Sequence, residues 1–195
     1  MKSKFLLSTM AMAIVMTVLV GCKGGNNAPD SPSIIDAVCD MYGKSLSKAI
    51  SIAKSNGFSY IDEDDECAIG LEKDPYETEV FSPQLSMCAE DGSVIEVDYM
   101  INFKGNNQSD KVADFAKSIG TTREVDGEIL VFYEGIIEGS SRGEYTDFDT
   151  FLKHIGNSDE VEAYWTSDKT GVYLFFEAEY EDGYTYLDIQ VGKDW

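Results

Sequence analysis

The body of the chain contains segments with two different hydrophobic periods. Between residues 35 and 53, apolar side chains recur at a spacing of three and four residues, which places them on one side of a helix. Gly57 then provides a stop signal, so we expect one helix that continues through Gly43. The same spacing predicts shorter helices near Ser109–Ile119 and Asp147–Ile155. The side chains expected to point inward from these two helices are Val112, Phe115, Ala116, Ile119, Phe148, Phe151, Leu152 and Ile155.

Strict alternation of apolar and polar residues begins at Cys67 and indicates strands. Asp-Gly pairs at 91–92 and 182–183 predict two hairpins with two-residue turns. Pairing outward from the first turn sets Cys88 opposite Ile95, on the face that should meet the core. The stretch EVDGEILVFYEGII (124–137) is apolar on both faces and predicts a central strand, and a further strand is expected over 160–166.

A faint internal repeat suggests how these elements are arranged. FAKSIGTTREV (115–125) aligns with FLKHIGNSDEV (151–161), and each copy ends a predicted helix and precedes strands. A common helix-ending pattern is an alternative explanation for part of this similarity. We expect one α+β domain over 34–195, made of two or three helix-then-antiparallel-hairpin units that form an antiparallel sheet with helices packed on one face.

The N-terminal segment has a pattern of its own. Lys2 and Lys4 precede an apolar run that is shorter than the roughly 20 residues of a spanning helix, so it predicts a signal peptide. The run ends in Leu19-Val20-Gly21-Cys22, which resembles the lipobox of bacterial lipoproteins. The resemblance implies cleavage before Cys22, a diacylglycerol on its sulfur and an acylated amine. A plain signal peptide with a chance cysteine is the alternative.

The same resemblance implies a location for the mature protein. Lys23 occupies the position where such lipoproteins usually carry Asp as an inner-membrane retention signal, so the expected location is the outer membrane of a bacterial envelope. Several acyl chains hold a protein on a membrane far more firmly than one. We therefore divide the chain into a signal peptide (1–21), a lipidated cysteine with a flexible tether (22–33), and the folded domain.

Charge limits the partners of this domain. The chain has 15 Lys+Arg and 36 Asp+Glu residues, a formal net charge of −21. The leader contributes two lysines and no acids, so the mature chain has 13 minus 36, or −23. Such a field repels nucleic acid and anionic lipid surfaces and favours a basic protein partner. The alternative is that the acidity only keeps an exported protein soluble.

Three cysteines remain after Cys22, in a compartment expected to be oxidising. They permit one disulfide, and all three are expected to point inward. We favour Cys67 with Cys88, while Cys39 with either one stays open. The sequence has neither a CxxC pair nor cysteine and histidine at zinc-site spacing, and no nucleotide or haem motif, so we predict no metal and no cofactor.

Two motifs resemble known functional motifs but lack the context that their chemistry requires. Gly139-Ser140-Ser141-Arg142-Gly143 matches the nucleophile elbow G-x-S-x-G, which needs a strand before it, a helix after it and a base within reach. His154 lies only 13 residues after Ser141 on the next helix, so we expect a flexible loop. The acidic run 62–66 lacks the glycine and the final glutamate of an EF-hand loop in register, and we interpret it as a solvated loop.

The C-terminal hairpin carries the most specific surface. Pairing outward from its turn places aliphatic residues on one face and aromatic residues with carboxylates on the other. Glu177 falls opposite Asp188, a like-charge pair that costs from a few tenths to about 1 kcal/mol. Tyrosine anchors and negative charge suit a basic protein partner, although a helix or loop covering this face is the alternative. The predicted partner-binding residues are Tyr173, Phe175, Glu177, Glu179, Tyr184, Tyr186 and Asp188.

These observations favour a non-enzymatic envelope lipoprotein that binds a basic protein partner, in the manner of an inhibitor or immunity protein. An assembly or scaffold lipoprotein of the outer membrane is one alternative. A small envelope serine hydrolase that uses Ser141 is the other.

Overall fold

The structure is a computed structural model that describes residues 30–64, 66–71, 83–105, 109–140 and 142–193. The helices of these residues are α1 (Ile34–Met41), α2 (Leu46–Ser55), α3 (Ser109–Ile119) and α4 (Phe148–His154), with a single 3-10 turn at Ile155–Asn157. The strands are β1 (Tyr60–Glu63), β2 (Cys67–Leu71), β3 (Gln84–Glu90), β4 (Ser93–Lys104), β5 (Thr122–Val125), β6 (Glu128–Gly139), β7 (Gly143–Tyr145), β8 (Ser158–Thr166), β9 (Val172–Glu181) and β10 (Tyr184–Lys193).

All ten strands belong to one antiparallel sheet. Its order is β1-β2-β3-β4-β10-β9-β8-β6-β5, and the short strand β7 pairs with β6 beside this path. In chain order, α1 and α2 precede β1–β4, α3 precedes β5–β7, and α4 precedes β8–β10. Helices and an antiparallel sheet are both present, as predicted, but the sheet is by far the larger part of the domain.

The core lies between the helices and one face of the sheet. Tyr99 of β4 stacks on Phe115 of α3 with ring centroids 6.3 Å apart. Phe132 of β6 meets Phe148 and Phe151 of α4 at 5.2 and 5.5 Å. Residues on the other side of the sheet alternate with these core positions and are half-buried or exposed. We call this second side the open face.

The first predicted helix is interrupted, so the expectation of one continuous helix is wrong. Helix α1 ends at Met41 and α2 begins at Leu46. Between them Gly43 has φ +74°, a left-handed conformation that no α-helix contains. The Gly43 N–H donates to the Val94 carbonyl (2.8 Å), and the Val94 N–H donates to the Lys44 carbonyl (2.7 Å). The break therefore lets the connection pair with β4.

The second and third predicted helices are confirmed as α3 and α4. The inward residues predicted for both are buried, except Leu152, which is partly exposed. Asp147 ends the preceding loop and caps α4, since its carboxylate accepts a hydrogen bond from the Thr150 N–H at 2.9 Å.

The first predicted hairpin has the expected turn but a different register. Asp91 and Gly92 have φ +50° and +84°, as a two-residue turn requires. A bulge next to Cys88 shifts the pairing, so that Cys88 lies opposite Glu96 instead of Ile95. Because one extra residue moves all later side chains to the other face, Cys88 belongs to the open face and its expected core position is wrong.

The pairing of the cysteines follows from the strand register. Cys67 on β2 lies directly opposite Cys88 on β3, and a disulfide joins them. This is the pairing that the sequence favoured. Cys39 is buried in the core as a free thiol. The expectation that all three point inward is therefore wrong for the two that pair.

The stretch predicted as a central strand forms a hairpin at the edge of the sheet. Asp126 and Gly127 have φ +47° and +83° and make a third Asp-Gly turn between β5 and β6. Strand β5 is the last in the sheet order, and β6 lies next to it. The outward residues Ile129 and Val131 are 54% and 52% exposed, so only one apolar face of this stretch is covered by the described residues.

Several predictions fall outside the described residues. The lipobox with Cys22, residues 23–29 of the tether and Ser141 all lie there. The last residues before α1 contact the domain, because the Ser118 hydroxyl donates to the Pro32 carbonyl at 3.0 Å. Across the described ranges, the helices are too short or too polar to cross a membrane.

Candidate partner-binding face

The C-terminal hairpin has the predicted register. Around the turn at Asp182-Gly183, Glu177 pairs with Asp188 and Glu179 pairs with Tyr186. The alternate positions carry the predicted aliphatic set and are buried in the core. All seven residues of the predicted partner-binding set therefore lie on the open face.

Strand β8 extends this surface with two further carboxylates that sequence reasoning did not assign to it. Glu160 pairs with Glu179, and Glu162 pairs with Glu177. Acidic side chains thus oppose one another across three adjacent strands. The available signal was the short separation between strand 160–166 and the hairpin, which favours antiparallel neighbours. We call Glu160, Glu162, Glu177, Glu179 and Asp188 the acid cluster.

Two members of the acid cluster, Glu177 and Asp188, hold their protons more tightly than ordinary carboxyls do. Burial raises the pKa of Glu177, and the neighbouring Glu162, Glu160 and Glu179 raise it further. Burial, followed by repulsion from Asp98 and Glu177, raises the pKa of Asp188 to about 6. Both shifts have the signs expected for crowded, partly desolvated carboxylates.

Asp98 on β4 extends the negative surface beyond the cluster. The Ser86 hydroxyl donates to its Oδ2 at 3.3 Å, while burial and Glu96 raise its pKa. The Oδ1 atoms of Asp98 and Asp188 are both buried and receive no hydrogen bond from the described residues. Such atoms are costly to bury, so this part of the sheet is organised at the expense of stability.

The four ion pairs found in the described part of the chain join Lys44 to Asp126, Lys117 to Asp114, Arg123 to Asp36 and Arg142 to Glu138, and none of them includes a member of the acid cluster. Lys104 on β4 does lie on the open face, because it is directly opposite Tyr184. Arg142 lies 3.1 Å from Glu138, which is directly opposite Glu160 of the acid cluster, and the Arg142 side chain is 76% exposed.

Aromatic rings border the acid cluster. Tyr164 and Phe175 pack with centroids 4.8 Å apart, and the Tyr164 hydroxyl donates to Glu162 at 3.4 Å. The Tyr173 hydroxyl donates to Gln190 at 3.2 Å. Tyr186 is 37% exposed and forms one wall of a shallow depression of about 220 Å³. Carboxylates and aromatic rings therefore alternate on one accessible surface.

Three members of the cluster have the geometry to approach a cation. One carboxylate oxygen each from Glu160, Glu162 and Glu177 lie within 4.8 Å of one another, and all three residues are half-buried. An all-oxygen set of this kind suits a hard divalent ion such as Ca²⁺ or Mg²⁺. An acid-rich surface also brings carboxylates together without any ion, so the trio alone does not identify a metal site.

The G-x-S-x-G motif lies in a different context from a nucleophile elbow. Strand β6 ends at Gly139 and the antiparallel strand β7 begins at Gly143, so the motif connects two strands rather than a strand and a helix. His154 stacks on Tyr145 at 4.8 Å, and its Nδ1 lies 2.7 Å from the Thr150 carbonyl. The hydrolase hypothesis gains no support from this geometry.

The acidic run 62–66 was expected to be a solvated loop, which is wrong for Asp62 and Glu63, because both belong to β1 and pair with β2. The Asp64 carboxylate accepts hydrogen bonds from the N–H groups of Glu66 (2.9 Å) and Cys67 (2.7 Å). These bonds lower the pKa of Asp64 and stabilise the connection between β1 and β2. A structural role accounts for this carboxylate.

Comparison of the chain with protein-family models, with curated proteins and with solved structures finds no match.

Proposed function

We propose that this protein is a non-enzymatic lipoprotein of the bacterial envelope whose open face binds a basic protein partner, in the manner of an inhibitor or immunity protein. The acid cluster is the centre of the binding surface, and the tyrosines around it are the anchors. The single observation that carries the proposal is the cross-strand register of Glu160, Glu162, Glu177, Glu179 and Asp188.

Like charges directly opposite one another destabilise a sheet. A partner with lysine or arginine side chains would convert this repulsion into attraction, and the negative field would also accelerate its approach. The aromatic rings support the same proposal, because tyrosine supplies large contact area with little loss of conformational entropy.

The anchor belongs to the proposal as well. The lipobox resemblance places acyl chains on Cys22. Because residues 31–33 already contact the domain or α1, a flexible tether of residues 23–29 would hold the domain roughly 15 Å from the lipid surface. Replacing Cys22 with Ser is expected to abolish incorporation of labelled fatty acid. Mature protein that retains residues 1–21 would contradict the anchor.

We also propose that the architecture arose from helix-then-hairpin units. The two copies of the repeat include Phe115 and Phe151, which occupy α3 and α4, and each copy runs on into a strand. Both phenylalanine rings are buried in the core, as expected of equivalent positions.

The proposal is tested by affinity capture from an envelope extract at low and high NaCl, about 0.05 and 0.5 M, with EDTA present to remove divalent ions. The test variant is Glu177→Lys/Asp188→Lys. The matched control is Asp110→Lys/Asp149→Lys, which makes the same change in net charge at exposed positions on α3 and α4.

The wild type and the control should capture a basic partner that high salt releases, and the test variant should not. Recovery of the same partner by the test variant would contradict the proposal. A partner that remains bound at high salt with all three proteins would instead favour the outer-membrane scaffold.

A further inference from the structure

Exposed apolar side chains concentrate on one stretch of β6. Ile129, Val131 and Tyr133 are 54%, 52% and 61% exposed, whereas large apolar residues elsewhere in the described ranges are mostly covered. We call these three residues the apolar corner. Val131 lies opposite Thr166, and Thr166 lies opposite Tyr173. Because directly paired residues share a face, the apolar corner belongs to the open face.

The local backbone accounts for the projection of Tyr133. The pairing of β6 with β8 shifts between Phe132 and Glu134, which makes Tyr133 the extra residue of a bulge. Strand β5 pairs with β6 up to Val131, and β7 pairs with it from Gly135 onward, so Tyr133 stands between the two. A concavity of about 540 Å³ lies beside it, lined by Ile129, Val131, Tyr133, Thr166, Asp168 and Lys169.

The sequence of β6 is that of a strand covered on both faces, yet the described chain covers only one of them. An exposed strand face in an antiparallel sheet is ordinarily polar. A contiguous apolar patch rimmed by polar residues is typical of an interaction site. The corner is therefore suited to contact with another molecule.

The charges next to the corner favour a basic occupant, because Glu128, Glu134 and Asp168 outnumber Lys169 there. Glu134 follows Tyr133 directly and lies opposite Tyr164, which packs beside Glu162. Anionic lipid and nucleic acid would be repelled by this surface. A second copy in a two-fold contact would bring one acid cluster towards another. A basic protein segment has the complementary charge.

We propose that the apolar corner and the acid cluster form one composite site for an extended basic segment of a protein partner, an inference that rests on the proposed function. An apolar side chain of the segment packs on Ile129, Val131 and Tyr133. Its lysine or arginine side chains lie over Glu162, Glu177 and Asp188.

The sheet geometry sets the spacing within that segment. Across the sheet, Asp188 on β10 is three strand spacings from β6, which is about 14 Å. Along the strands, Glu162 is four residues from Thr166, the β8 residue opposite Val131, which is about 13 Å. The diagonal is about 19 Å, which an extended chain covers in about six residues. The same extended chain, starting from the apolar corner, covers the shorter distance to Glu162 in about four residues. Cationic residues are therefore expected about four to six positions from the apolar anchor.

The test uses two labelled peptides and the full chain in nanodiscs of zwitterionic lipid, with empty nanodiscs as background. One peptide carries a Leu-Trp pair, then a short Ser/Gly spacer, then three lysines at the required spacing. The other has Ser-Ser in place of Leu-Trp. The wild type should bind the first peptide about tenfold more tightly than the second, as expected when one apolar anchor is added.

The variants separate the two halves of the site. Val131→Thr/Tyr133→Ser should remove the difference between the peptides and leave the salt dependence unchanged. Ile69→Ser is the matched control, since Ile69 is 46% exposed on the open face at the far side of the sheet, and it should behave as the wild type. Glu177→Gln/Asp188→Asn should lower the affinity for both peptides and reduce the salt dependence of their binding.

Equal binding of the two peptides to the wild type would overturn the composite site, and the proposed function would stand if both still depended on Glu177 and Asp188. If Glu177→Gln/Asp188→Asn bound both peptides as tightly as the wild type does, the proposed function itself would be contradicted. A dimer in sedimentation that Val131→Thr/Tyr133→Ser dissociates would assign the corner to self-association and would also overturn the inference.

Discussion

At the scale of single residues, Asp188 shows how the open face is balanced against stability. It lies opposite Glu177, near Asp98, and one of its carboxylate oxygens is buried without a donor among the described residues. Burial and these neighbours disfavour its charged form. A residue kept in such surroundings reduces the stability of the domain, which is reasonable if its charge serves binding.

Replacing Asp188 with Asn should raise the free energy of unfolding at pH 7 by about 0.5–1 kcal/mol, because it removes one member of a like-charge pair. The wild type should also become more stable as the pH falls from about 6 towards 4.5. In that window the folded state binds more protons than the unfolded state, because the folded pKa is about 6 and the ordinary value is near 4.

The measurement is urea denaturation of both proteins across this pH range. Asp188→Asn should show a smaller gain on acidification than the wild type. Glu181→Gln, an exposed carboxyl at the end of the same hairpin, is the control and should retain the full gain. Identical pH profiles for wild type and Asp188→Asn would contradict the prediction.

At the scale of elements, the sequence predicted what local chemistry determines. The turns at 91–92 and 182–183 were found because Asp-Gly tolerates positive φ and specifies a two-residue hairpin. The equivalent turn at Asp126 was missed because the apolar residues after it suggested a buried strand. The interruption at Gly43 and the bulge beside Cys88 depend on pairing with other elements, which no local pattern contains.

The contact of α4 with β6 depends on one glycine. Gly135 is buried in β6, and a Cβ atom there would overlap the ring of Phe151. Gly135→Ala should therefore lower the free energy of unfolding by about 1–3 kcal/mol through overpacking. Gly156→Ala is the matched control, because the nearest atom to its added Cβ is 3.9 Å away on Ser109. Equal denaturation midpoints for the two variants would show that the ring moves aside at no cost.

At the scale of the whole molecule, about half of the candidate site could be predicted. The hairpin contributes Glu177, Glu179 and Asp188, whose register follows from a two-residue turn. Glu160 and Glu162 join them only through the neighbouring strand β8. The apolar corner was hidden for a related reason, because a pattern that is apolar on both faces does not reveal whether the same chain covers both.

Net charge supplies the last prediction. A chain with a formal charge of −21 repels itself most strongly when compact, and the ion pairs among its described residues are few and largely exposed. Salt should screen this repulsion more than it weakens the pairs. The free energy of unfolding should therefore increase between about 0.02 and 0.5 M NaCl, over which the screening length falls from roughly 20 Å to about 4 Å.

The acid cluster should account for a measurable share of that increase. Glu162→Gln/Glu177→Gln is expected to flatten the salt dependence more than the control Asp110→Asn/Asp149→Asn, which removes the same charge from exposed positions on α3 and α4. Sodium and potassium chloride should act equally if screening is the cause.

Calcium provides a contrary outcome. If Ca²⁺ stabilised the wild type at a far lower concentration than either salt, and did not stabilise Glu162→Gln/Glu177→Gln, these two residues and Glu160 would instead bind a cation. A flat or falling NaCl curve would mean that repulsion across the open face contributes little to stability, and the tolerance of these like-charge pairs would then not need a partner to explain it.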